Sequence, residues 1–100
     1  MRGLLLAAVL GAASVAGCGG VYYSVNVSEA QARLEQARAM GADRLAPYEF
    51  TYAQEHLRQA QVEAAEASYS DAAAYAEVAE HYAQKAIDRV QAGRREGVER

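Results

Sequence analysis

The chain has 100 residues, ten basic against thirteen acidic side chains and a formal net charge of −3, which allows one domain with a modest core. The mildly acidic balance argues against nucleic acid and anionic headgroups as partners, since both call for basic patches. A single cysteine excludes an internal disulfide framework and a cysteine-rich metal site.

The chain opens on Met1-Arg2-Gly3, a minimal basic segment, followed over residues 4–16 by an apolar run rich in Leu, Ala and Val. Thirteen helical residues span about 20 Å, short of the roughly 30 Å hydrocarbon core. This is the pattern of a targeting segment that is removed. Val15-Ala16-Gly17-Cys18 closes it and resembles the lipobox of bacterial lipoproteins. The resemblance implies cleavage between Gly17 and Cys18 and acylation of Cys18 by palmitate-type chains. One acyl chain binds membranes only marginally, whereas several anchor stably, and lipoproteins of this kind carry more than one. The plainer alternative is an ordinary secretory signal with a cysteine beside its cleavage site. Removing Arg2 with the signal leaves nine basic against thirteen acidic residues and a formal charge of −4.

Residues 18–27 hold the cysteine and a Gly-Gly-Val-Tyr-Tyr-Ser-Val-Asn-Val stretch without helical period. Gly-Gly loosens the chain and Val and Tyr favour extended geometry. The expectation is an extended tether reaching at most about 30 Å. Tyr22 and Tyr23 then either sit among headgroups, where amphipathic rings are favoured, or fold back onto the domain.

From Ser28 onward the pattern is all-α: a three-helix unit over residues 28–93 with a charged tail over 94–100. Ser28 is a fitting N-cap and Glu29 suits a first turn. The first helix runs to Met40, with Ala30, Leu34, Ala37 and Met40 on one face. Gly41 supplies the left-handed residue that ends helices. Residues 42–46 form a turn, and Pro47 fits the first position of the next helix. That helix runs to Ser68, with Ala53, Leu57, Ala60, Ala64 and Ala67 spaced by four and three. Tyr69-Ser70-Asp71 marks a break, with Ser70 or Asp71 as cap. The third helix carries Ala72, Ala76, Ala79, Ala83, Ala86 and Val90 on its seam and ends at Gly93.

Alternation of four and three is the period of left-handed helix packing. Filled by Ala, it lets helix axes approach to the lower part of the roughly 8–10 Å range, at little buried area per contact. The expected arrangement is an antiparallel hairpin of the second and third helices with the first packed across it. Leu34, Met40, Leu45, Phe50, Leu57, Val62, Val78, Ile87 and Val90 supply the larger core side chains. Beside the seam, Tyr48 and Tyr52 share a face of the second helix, and Tyr75, Val78 and Tyr82 one of the third. These rings either form a contact surface for a partner, where Tyr is favoured, or cover the hairpin and pack on the first helix.

Several segments together resemble the domain of unknown function 4398 family. They are residues 32–38 (Ala-Arg-Leu-Glu-Gln-Ala-Arg), Gly41-Ala42, residues 45–50 (Leu-Ala-Pro-Tyr-Glu-Phe), Ala53, Leu57, and Tyr69-Ser70-Asp71 before an Ala-rich helix. The resemblance implies an envelope lipoprotein of Gram-negative type. Some members stand ahead of a peptidoglycan-binding domain, which the residues here do not include. The second and third helices also resemble a tetratricopeptide unit, although one hairpin is fewer than the three repeats a solenoid needs.

His56 and His81 are the only histidines. An antiparallel hairpin turning at Tyr69 brings them near one another, the single route to a metal site that the residues offer, and fewer than the three or four ligands such a site needs. No nucleophile elbow, phosphate loop or His-Glu-x-x-His run occurs. The reading is a non-enzymatic lipoprotein with no cofactor. Acylated Cys18 holds it to membrane lipid at the periplasmic face of the outer membrane, and its helices dock an envelope protein. The alternatives are a self-associating homo-oligomer and a metal or ligand carrier.

Overall fold

In the computed structural model the backbone is described for residues 2–99 and side chains for residues 20–98. Gly17 and Cys18, with their cleavage and acylation, therefore have side chains outside the described residues. The described residues form four helices: α1 (Arg2–Ala39), α2 (Ala42–Leu45), α3 (Pro47–Ala65) and α4 (Tyr69–Glu99). Among the described residues there is no strand. Among these residues no helix is long and apolar enough to cross a membrane.

Helix α4 is the central element, packed along both α1 and α3. Tyr22 reaches Glu77 and Arg94 reaches Met40, so α1 and α4 run parallel. Arg89 meets Glu49 and His56 lies beside Tyr75, so α3 runs antiparallel to α4. The first helix thus lies alongside the hairpin rather than across it. Every residue of the expected α4 seam is buried, from Ala72 through Ala76, Ala79, Ala83 and Ala86 to Val90. Ala79 to Val90 join Ala30, Leu34 and Ala37 of α1 and Phe50, Ala53 and Leu57 of α3 in one core. Leu34, Phe50, Leu57, Ile87 and Val90 fill it as expected, and Met40 packs at its edge. Leu45 and Val62 are exposed instead, and Val78 is half-buried. Leu45 stands on the short α2 turn, and Val62 falls between the seam positions Ala60 and Ala64.

Over residues 20–27 the expected extended geometry is replaced by helix, which continues α1. Tyr23, Val27, Ala30, Leu34 and Ala37 repeat the four-three spacing, so packing overrides the weak β-preference of Val and Tyr. The polar side chains are satisfied within the helix: Ser24 Oγ donates to the Gly20 carbonyl at 2.8 Å and Asn26 Nδ2 to that of Tyr22 at 2.9 Å. Ser28 is accordingly mid-helix and exposed, not a cap.

Gly41 does end α1, at φ 81°, and Pro47 opens α3. The second break falls at Glu66, Ala67 and Ser68, immediately before Tyr69. There the Ser68 N–H donates to the Glu63 carbonyl at 2.9 Å and the Ala67 N–H to that of Ala64 at 3.0 Å. This is a Schellman closure with Ala67, at φ 61°, in the place usually taken by glycine. Ser70 and Asp71 lie inside α4 rather than at its cap. Gly93 does not end α4, which continues to Glu99. Gly93 keeps a negative φ, and Arg94 Nη2, one residue on, donates to the Met40 carbonyl at 3.1 Å and ties that turn to α1.

Candidate interaction surface

Tyr48, Tyr52 and His56 follow one another at spacings of four and so lie along one stripe of α3. Tyr75 and Tyr82, seven apart, do the same on α4. The antiparallel register brings the two stripes together. The Tyr52 and Tyr82 ring centroids are 4.2 Å apart, those of Tyr48 and Tyr52 6.0 Å, and those of His56 and Tyr75 5.9 Å. His56 stacks on Tyr52 at 4.2 Å with an interplanar angle of 27°. Its Nδ1–H donates to the Tyr52 carbonyl at 2.9 Å, a partner that only accepts and therefore selects the tautomer.

Lys85 Nζ sits 5.0 Å from the Tyr82 centroid, within range of a cation–π contact. The result is a continuous ring ladder across the α3–α4 seam, flanked by one cation. Tyr48 is its open end, at 64% exposure, while Tyr52, His56, Tyr75 and Tyr82 are half-buried. All four tyrosines read from the sequence as contact residues belong to this ladder. Among the described residues their aromatic neighbours lie on α3 and α4. Only Tyr82 also packs against the common core.

His56 and His81 do not form a pair. His56 borders a hollow with Glu63, Asp71, Ala74, Tyr75 and Val78. His81 faces a different cleft, with Arg33, Glu77, Glu80 and Gln84. With the turn at 66–68, position 56 lies opposite about position 78 rather than 82, which brings His56 beside Tyr75 and Val78. Among the described residues no three His, Cys, Asp or Glu side chains converge on a cation site.

Tyr22 and Tyr23 take the second of their two expected places, against the domain. The Tyr22 hydroxyl donates to the Glu77 carboxylate, and that bond, followed by the carboxylate charge, raises the phenol above its ordinary pKa. The Tyr23 ring lies 6.0 Å from that of Tyr69, joining α1 to the first turn of α4. The sequence offers the fold-back without naming the partners Glu77 and Tyr69. The signal that finds them is the seam spacing that runs back from Ala30.

The family model described as Domain of unknown function (DUF4398) matches residues 25–98. No curated protein and no solved structure matches the chain.

Proposed function

The chain belongs to the DUF4398 family, and we propose that it is a non-enzymatic lipoprotein whose α3–α4 face docks another envelope protein. The ring ladder is the observation that carries this reading. A bundle cored by alanine gains little from each contact. It nonetheless keeps Tyr48, Tyr52, His56, Tyr75 and Tyr82 contiguous and partly open at its surface. Aromatic side chains with a polar tip and few rotors are suited to protein interfaces.

The anchor is acylated Cys18, and the site is the periplasmic face of the outer membrane. Val15-Ala16-Gly17-Cys18 after the apolar run supports the anchor. Gly19 in the position after the cysteine lacks the acidic residue that retains enteric lipoproteins at the inner membrane.

Replacing Cys18 with Ser is expected to move the protein from the membrane pellet to the soluble fraction on cell fractionation. Retention in the pellet sinks the anchor. A photo-crosslinker at position 75 or 82 is expected to capture one envelope protein in living cells. Loss of that adduct in Tyr48→Ala/Tyr52→Ala ties the capture to the ladder, and an undiminished adduct assigns it elsewhere.

A further inference from the structure

Helix α1 carries two apolar stripes. Tyr23, Val27, Ala30 and Leu34 turn to the core, while Val21 and Val25 point elsewhere. Val21 and Val25 are spaced by four and so share a face; they are 64% and 53% exposed. With Tyr23 and Tyr69 they line an open groove of about 950 Å³, whose opposite wall is Ala64 and Ala65 at the end of α3. It lies at the end of the bundle where Cys18 enters.

Along a helix Val21 stands about 4.5 Å from Cys18 and Val25 about 10 Å. That is the depth over which interfacial apolar faces are buried, roughly 5–10 Å. The charge distribution selects the headgroup. No Lys or Arg occurs in residues 3–32 or 59–84, and the one charged side chain in the groove lining is Glu29. Basic side chains are what anionic lipid attracts; the groove has none, and its one carboxylate opposes that lipid.

From this juxtaposition we infer that the groove end is a membrane seat. Val21, Val25 and Tyr69 rest in the interfacial layer of a zwitterionic bilayer, so that the bundle lies against the lipid that holds it. This inference rests on the acyl anchor at Cys18.

The chain contains no tryptophan, so a single introduced one is an unambiguous probe. The lipidated protein, reconstituted in phosphatidylcholine vesicles with brominated acyl chains, is compared as Val25→Trp and as Val98→Trp. Val98 is at the far end and 87% exposed. Val21→Trp serves as a second probe, and circular dichroism verifies the helices of all three. Val25→Trp and Val21→Trp are expected to emit at shorter wavelength and to be quenched at least about three-fold more than Val98→Trp. Equal quenching in vesicles that carry all three proteins on flotation overturns the seat and leaves the anchor standing. Failure to float overturns the anchor and the seat with it. A blue shift without bromine quenching assigns the groove to a second copy or another protein, and also overturns the seat. Adding phosphatidylglycerol is expected to reduce the quenching; an increase overturns the choice of headgroup.

Discussion

The two ends of the bundle are built differently. At the end where α1 meets α2, large side chains carry the core: Leu34, Phe50, Ile87 and Val90 are all buried. Polar ties cross between helices there as well. Arg89 Nη1 donates to both Glu49 carboxylate oxygens at 3.0 Å, Arg94 holds the Met40 carbonyl, and Arg38 lies over the Phe50 ring at 5.6 Å. At the α3–α4 turn the buried residues are Ala60, Ala72, Ala73 and Ala76, outside the main core, and the seam of α1 there includes Asn26. Even the helix terminators differ, since the first end has glycine at φ 81° and the second alanine at φ 61°. Stability is concentrated at one end, which leaves the other free to expose Val21, Val25 and Tyr69 without unfolding.

Emptying the tied end gives the largest expected effect. Ile87 is the largest fully buried side chain, and Ile87→Ala should cost about 2–5 kcal/mol in urea denaturation. Val25→Ala, at the thin end, should stay within about 0.5 kcal/mol. Equal losses would erase the contrast. The terminators come next and act in opposite directions. Gly41→Ala places a side chain in the left-handed region and should cost about 1–2 kcal/mol, although a Cβ there meets only ordinary contacts at 3.5 and 3.6 Å. Ala67→Gly relieves the same strain at the other end and should raise stability by about 0.5–1 kcal/mol. A loss at both positions would show that φ does not decide. The smallest effect belongs to the ion pair. Glu49 is mostly covered but Arg89 is largely exposed, so Arg89→Ala should cost about 0.5–1 kcal/mol, and less as salt rises. A cost unchanged in high salt would point to lost packing by the arginine stem.

The α4 seam was legible because six small or branched residues kept one phase over five turns, and the core demands that phase. Gly41 and Pro47 were legible because each has a backbone property that few residues share. The second break was not, because Ala67 occupies a left-handed position that its residue type does not advertise. That misplacement shifted the hairpin register and placed His56 opposite position 82 instead of about position 78. The ladder was half visible for the same reason. Spacing alone gathers Tyr48 with Tyr52 and Tyr75 with Tyr82, but the Tyr52–Tyr82 contact depends on where the chain turns. The segment over residues 20–27 was misread by composition. Val, Tyr and Gly look like an extended strand until the heptad is traced backwards through Val27 to Tyr23.

That continuity of α1 has a consequence for aim. A flexible leash would leave the bundle free to swivel about its anchor, and the ring ladder would sweep every direction. A helix transmits azimuth as well as height: each residue turns the chain by about 100° and lifts it about 1.5 Å. Under the proposed acylation of Cys18, the phase of α1 would decide which way Tyr48 and Tyr82 look across the membrane plane. One residue inserted after Gly20 would swing that heading by more than a quarter turn, while leaving every contact within the bundle beyond Tyr23 unchanged.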